Sequence, residues 1–314
     1  MQLPHLQGVR CLCAAWVLCS RFLPSEHAGI WRVGQLRGGE CGAACFMVLS
    51  GFVAQWQPAL ELRQLRRFFL RRFLRLWPAA WLAMAWSLAL QPQLPRGSCL
   101  LLLQWSKEEA MQCPNGATWT ASMLLPCWLI FPCLSSPLCR PCPKLTFAVV
   151  VGLWLLSCLW PVDGPVMAMP SFILGVAAAF VVQASDKDET VGRMHGILAD
   201  LIAVGMATVV TFVGQTDEYH RYLALPTALF FLLATAGGGM VQALLRHKAL
   251  ASLGDATLYV YLFQEPLFES LAAWEPKLRH SAEGFVFFVL LLWLLAGLYA
   301  AFAEPWLLRM ACAE

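Results

Sequence analysis

Residues 45–78 read CFMVLSGFVAQWQPALELRQLRRFFLRRFLRLWP. This sequence begins with an apolar segment and continues with six arginines, at positions 63, 66, 67, 71, 72 and 75. Guanidinium groups are costly to place in hydrocarbon, and loops rich in Lys and Arg stay on the cytosolic side of a membrane. The sequence therefore predicts a membrane span that leads into a cytosolic arginine segment, and this segment sets the orientation of the other spans.

The composition is that of a polytopic membrane protein. Of the 314 residues, 59% are hydrophobic and only 13% are charged, which is more apolar surface than one soluble core can bury. The net charge is +3, and the excess of basic residues is concentrated in the arginine segment. A local basic cluster favours an anionic ligand or membrane lipid headgroups as partners, and we expect no nucleic-acid partner.

Apolar segments separated by polar or Pro/Gly-rich breaks recur along the chain. They lie near residues 8–24, 41–57, 76–92, 117–136, 146–161, 167–184, 195–214, 222–244, 255–274 and 284–303. We therefore predict an all-α fold, a polytopic membrane helical bundle of about ten transmembrane helices, which forms one domain over residues 1–314. An even number of spans, with the arginine segment inside, makes the protein an integral multi-pass membrane protein with both termini cytosolic.

Five ionisable residues fall inside or at the ends of these spans: Arg10, Arg21, Asp200, Glu265 and Glu304. A charged side chain within a span costs about 2.5–3.5 kcal/mol on insertion scales, so each is a candidate functional residue. For Asp200 and Glu304, which lie at span ends, an interfacial position is the alternative interpretation.

The arginine segment has helical spacing. Arg67, Arg71 and Arg75 are four residues apart and would share one helix face, with Arg72 beside them. Such a face could bind phosphate groups, because guanidinium groups match phosphate oxygens bidentately. The alternative is a juxtamembrane basic helix that binds acidic lipid and sets the topology.

Most of the thirteen cysteines lie in apolar segments, where cysteine behaves as a small hydrophobic residue. Cys99 and Cys113 would share a loop outside the cytosol, where a disulfide can form. Cys139 and Cys142 form one CxxC pair without a second pair, so we expect no metal site.

Several short motifs, taken in order, resemble the acyltransferase-3 family of multi-spanning membrane O-acyltransferases. The most specific is FMVLSGF at residues 46–52, which includes Ser50 and Gly51 and is similar to the family's FFVLSGF. The other elements are GVRCLCAAWV at 8–17, RRFLRLWP at 71–78, Trp119-Thr120 with Phe131-Pro132, PSFILG at 170–175, LGDATLYVYL at 253–262 with its Tyr261, and Glu304-Pro305.

The resemblance implies a membrane acyltransferase. It implies transfer of an acyl group, which we expect to be acetyl, from acyl-CoA to a hydroxyl group of a carbohydrate or lipid acceptor. Acyl-CoA would be a co-substrate rather than a permanently bound cofactor. Arg10, Arg71, Arg72 and Arg75 would then bind the CoA phosphates, and a histidine eleven residues after the first-span arginine would act as general base.

The chain departs from the family pattern at these catalytic positions. Eleven residues after Arg10 stands Arg21, which stays protonated and cannot act as a base. Leu124 occupies a position where the family carries a glutamate, and Trp128 replaces a tyrosine. Gln264 stands where the family has its last-motif histidine. His27, six residues after Arg21, could supply a displaced base, or it could be an exposed loop residue.

Two functions follow from the sequence. In the first, the chain is an O-acyltransferase with a non-standard base. In the second, it is a catalytically inactive relative that binds acyl-CoA or lipid or moves a substrate, with Arg21 turning the base position into an anion site.

Overall fold

The structure is a computed structural model. It describes residues 3–22, 39–56, 65–91, 97–105, 109, 112–135, 142–159, 165–184, 189–213 and 222–312. Within these ranges the regular structure is helical and includes no strand, as the all-α prediction requires. His27 and Cys139 lie outside the described residues.

The helices follow the apolar segments. They are α1 (Pro4–Phe22), α2 (Gly39–Gln55), α3 (Leu65–Leu90), α4 (Gly97–Leu100), α5 (Thr118–Leu134), α6 (Pro143–Cys158), α7 (Pro165–Ala184), α8 (Glu189–Val213), α9 (Ala224–Ala236), α10 (Met240–Leu245), α11 (Lys248–Asp255), α12 (Thr257–Trp274), α13 (Ala282–Leu298) and α14 (Glu304–Cys312). A 3₁₀ turn at Pro276–His280 precedes α13, and a π-helical turn at Tyr299–Ala303 joins α13 to α14.

In the part of the chain that the structure describes, two helical segments, Leu65–Leu90 and Ala282–Met310, are long and apolar enough to cross a membrane. The first begins eleven residues before the predicted third span, because the arginines continue the same helix. Five further apolar helices of 10–17 residues are shorter. They are Gly42–Gln55, Thr118–Leu134, Pro143–Cys158, Ala168–Ala184 and Ala224–Ala236.

Two glycines from the family-like motifs bring α2 and α7 into backbone contact. A Cβ atom added to Gly51 would overlap the carbonyl oxygen of Phe172, and one added to Gly175 would overlap the carbonyl oxygen of Val48. Small residues allow helices to approach this closely in membranes, where van der Waals packing drives association. The crossing holds α2, and with it Ser50, in a fixed position.

We expect Gly175→Ala to destabilise the protein by about 2 kcal/mol, because overpacking a close contact costs roughly 1–3 kcal/mol. The apparent melting temperature in detergent measures this effect. Gly152→Ala on α6 is the matched control, since a Cβ at Gly152 meets no atom within 4 Å. Equal melting temperatures for the two variants would contradict the close crossing.

Buried aromatic side chains connect the helices around the centre of the bundle. Phe131 of α5 stacks on Phe68 of α3 at a centroid distance of 5.6 Å and meets Phe172 of α7 edge-on at 6.2 Å. Both Phe131 and Phe172 are fully buried. The F-P and P-x-F motifs therefore supply the core contacts that hold α3, α5 and α7 together.

Asp200 accepts hydrogen bonds from the start of a short helix. Its carboxylate accepts hydrogen bonds from the backbone N–H groups of Met240 (2.7 Å) and Val241 (2.9 Å) at the start of α10. The helix is interrupted there by Gly237–Gly239, so these N–H groups have no intrahelical partner. Asp200 thus acts as a structural cap for the broken helix.

The opposite ends of the bundle differ in chemistry. At one end α3 begins with its arginines, and we call this the basic end. At the other end α4 is joined by the Cys99–Cys113 disulfide to the residues that precede α5, and we call this the disulfide end. The structure thus contains the disulfide that the sequence allowed.

Candidate functional site

A cavity of about 110 Å³ lies between α1, α2, α3, α5 and α12. We call it the central cavity. Its polar lining consists of guanidinium and hydroxyl groups from residues that lie far apart in the sequence. They include Arg10, Ser50, Arg72, Arg75, Thr120 and Tyr261.

Arg10 and Arg72 give the central cavity a positive charge. Arg10 donates from Nη1 to Oε1 of Gln7 at 3.0 Å, which is a neutral partner. The Arg72 guanidinium lies over the rings of Phe68 and Trp128, 5.4 Å from each centroid. Among the described residues, no carboxylate lies within 4.0 Å of either arginine. Two cations therefore face the cavity without an ion-pair partner, a setting that favours an anion.

Arg75 is compensated by a carboxylate. Its Nε lies 3.3 Å from Oε1 of Glu304, and the Tyr259 hydroxyl donates to Oε2 of Glu304 at 2.7 Å. Glu304 follows directly on the π-helical turn, a kind of distortion that is frequent at functional sites. Glu304 therefore ties α14 to α3 and α12 beside the cavity.

The hydroxyl groups of Thr120 and Tyr261 are within hydrogen-bonding distance of each other across the cavity, at 2.5 Å. Thr120 is buried on α5, and the preceding Trp119 is half-buried with its Nε1 atom unpartnered among the described residues. Leu124 and Trp128 follow at helical spacing and also line the cavity. Two of the positions at which the sequence departs from the family pattern therefore face the same space as the arginines.

Arg71 does not belong to the cavity. It is exposed, as Arg67 is, whereas Arg72 and Arg75 face inward. The structure does not bring Arg67, Arg71 and Arg75 together at the cavity, because the buried Phe68 and Leu76 place the Arg72 side of α3 against the bundle.

Arg21 lies near the disulfide end. Eleven residues of helix separate it from Arg10, which corresponds to about 16 Å along the axis of α1. Its Nη1 donates to Oε1 of Glu265 at 2.8 Å, and the backbone N–H of Ala117 donates to Oε2 of Glu265 at 3.1 Å. We call these three residues the Arg21–Glu265 junction. The side chains of Arg21 and Glu265 are 41% and 25% exposed.

Sequence reasoning did not find the partnership of Arg21 with Glu265, which are 244 residues apart. The sequence did contain a sign of this pairing, because Arg21 and Glu265 are opposite charges in apolar segments and charges within membranes usually pair. Gln264, next to Glu265, is fully buried, and its two amide atoms have no partner among the described residues.

Among the described residues that line the central cavity, none is a histidine, an aspartate or a glutamate. The cavity can therefore hold an anion and offer hydroxyl groups, but a strong proton acceptor has to come from outside its lining. The carboxylate of Glu265 lies on α12, the helix that also carries Tyr261, and the carboxylate of Glu304 pairs with Arg75 beside the cavity.

Comparison with known protein families identifies the chain's family. A family model of the acyltransferase-3 type, described as an acyltransferase domain, matches residues 4–309. No curated protein and no solved structure matches the chain.

Proposed function

The chain belongs to the acyltransferase-3 family of membrane acyltransferases, and on this premise we propose that it transfers an acyl group from acyl-CoA to a hydroxyl group. The donor would bind at the central cavity with its phosphates on Arg10, Arg72 and Arg75. The acyl group would be acetyl, and the acceptor a carbohydrate or a lipid.

This proposal rests on the positive charge of the central cavity. Arg10 and Arg72 have no ion-pair partner among the described residues, and guanidinium groups bind phosphate oxygens with fixed geometry. The central cavity has a volume of about 110 Å³, which is below the roughly 300–1,000 Å³ of pockets for drug-sized ligands. The cavity would therefore hold only part of the donor, the phosphate groups that contact the arginines.

Family membership and the apolar helices together indicate an integral membrane protein. We propose that the chain crosses the membrane about ten times as one domain, with cytosolic termini. The basic end would then face the cytosol, where acyl-CoA is available and where the exposed Arg67 and Arg71 can contact acidic lipid. The disulfide end would face the opposite compartment, where disulfides persist.

The second candidate function is a catalytically inactive protein that binds acyl-CoA or lipid, or moves a substrate. Arg21 at the position of the family's base favours it, because arginine cannot accept a proton. The absence of a carboxylate or histidine among the described cavity-lining residues points the same way. In its acyl-CoA-binding form, this second function shares the donor site of the first and differs from it in turnover.

An assay of the purified full-length protein separates them. We expect reconstituted protein, given radiolabelled acetyl-CoA and a panel of carbohydrate and lipid alcohols, to transfer label above a heat-denatured control. Binding of acetyl-CoA without transfer to any acceptor would favour the inactive binding protein. A protein that does not bind acetyl-CoA at all would contradict the acyltransferase and the acyl-CoA-binding protein, and would leave lipid binding or substrate movement as the function.

A further inference from the structure

The three members of the Arg21–Glu265 junction lie on the elements that line the central cavity. Glu265 follows Tyr261 by four residues and Leu262 by three, so it shares their face of α12 about 6 Å further along the helix axis. Ala117 immediately precedes α5 and lies three residues before Thr120. Both Tyr261 and Thr120 line the cavity. The junction therefore lies directly beyond the cavity toward the disulfide end.

The junction is accessible from that end. With 41% of the Arg21 side chain and 25% of the Glu265 side chain exposed, a molecule that arrives at the disulfide end meets these groups before it meets the cavity. Glu265 is also held in place. One carboxylate oxygen accepts from Arg21 and the other from the Ala117 backbone, while each oxygen keeps a lone pair for a further hydrogen bond.

We propose, on the premise that the protein transfers an acyl group from acyl-CoA, that Glu265 is its general base and that Arg21 positions it. The acceptor hydroxyl lies between the carboxylate of Glu265 and the thioester, which extends from the phosphates in the cavity toward the junction. Glu265 takes the hydroxyl proton as the acceptor oxygen forms a bond to the thioester carbonyl carbon. The carbon–sulfur bond then breaks, and the CoA thiolate leaves and takes up the proton.

This assignment explains why an arginine can occupy the family's base position. Arg21 cannot accept a proton, but it orients the carboxylate that does, and it places a fixed positive charge beside the reacting oxygen. The function of one histidine is then divided between two residues of different helices. The competing explanation is that the ion pair merely fastens α1 to α12.

The substitution Glu265→Gln tests the proposal, because glutamine retains the shape and an acceptor oxygen for the Ala117 N–H but cannot take the proton. In full-length protein that transfers label from acetyl-CoA, we expect kcat to fall about 100-fold or more, the range for loss of a general base. The dissociation constant for acetyl-CoA is expected to stay within about twofold. Glu269→Gln, one turn further along α12, is the control and should leave both values unchanged.

Two double variants distinguish a general base from an ion pair that only holds α1 against α12. Arg21→Gln/Glu265→Gln removes both charges, so no arginine is left unpaired. We expect this variant to remain inactive, whereas Arg21→His/Glu265→Gln should regain activity because it supplies a new base. Recovery in the variant with two glutamines, or a Glu265→Gln variant with more than half of wild-type kcat, would overturn the assignment of Glu265. Wild-type protein that binds acetyl-CoA but transfers it to no acceptor would overturn the proposed function and this inference together.

Discussion

Replacing Arg72 with glutamine is expected to weaken the binding of acetyl-CoA at least tenfold, whereas the same change at the adjacent Arg71 should have little effect. Arg72 lines the central cavity and has no ion-pair partner among the described residues, while Arg71 is exposed on the outer face of α3. A hydrogen bond to a charged group contributes about 1.5–3 kcal/mol, and 1.4 kcal/mol corresponds to a factor of ten in affinity.

Arg71→Gln is a well-matched control, since it changes the same residue type, on the same helix, one position away. Isothermal titration with acetyl-CoA and with CoA measures the difference directly. We expect Arg72→Lys to behave like Arg72→Gln rather than like the wild type, because the planar guanidinium lies over the rings of Phe68 and Trp128, and lysine does not reproduce this geometry. Equal loss of affinity at positions 71 and 72 would indicate a diffuse electrostatic effect and contradict a defined phosphate site.

The sequence predicts the helices of this protein well because their apolar segments are bounded by Pro, Gly and charged residues. It also predicts a helical arginine segment, and Arg66 and the arginines after it lie in the third helix. The order of the short motifs identifies the family, and several of these motifs supply packing contacts. Gly51 and Gly175 provide the clearest case, because no other residue fits where α2 crosses α7.

The side of α3 that faces inward could not be predicted from arginine spacing alone. A four-residue spacing groups Arg67, Arg71 and Arg75, but the burial of Phe68 and Leu76 decides the rotation of the helix. That burial depends on contacts with α5 and α12, which lie far away in the sequence. The cavity therefore contains Arg72 and Arg75 but not Arg71.

The pairing of Arg21 with Glu265 is a second feature that sequence order hides. The family comparison draws attention to what position 21 has lost, namely a titratable histidine. Only the packing of α1 against α12 shows that the arginine has a carboxylate partner 2.8 Å away. The change at position 21 therefore removes the histidine but leaves a carboxylate beside that position.

Replacing Glu304 with glutamine is expected to destabilise the protein by about 3 kcal/mol, which should lower its apparent melting temperature by several degrees. Removing one partner of a buried ion pair costs roughly 3–5 kcal/mol, because the other charge is left unpaired. We expect the lower end of this range, since the side chains of Arg75 and Glu304 are 34% and 17% exposed. The unpaired Arg75 would also face Arg10 and Arg72 in the same cavity.

A double-mutant cycle identifies the source of this loss. Arg75→Gln/Glu304→Gln removes both charges, so it should be more stable than Glu304→Gln alone, although it should bind acetyl-CoA more weakly than the wild type. Tyr259→Phe is the control for the hydrogen bond to Glu304, and it should cost only about 1 kcal/mol. If the double variant is as unstable as the sum of the single variants, the two charges are not coupled. Coupling would mean that Glu304 offsets the charge of Arg75 at the donor site. The positive charge that is left to bind phosphate would then come from Arg10 and Arg72.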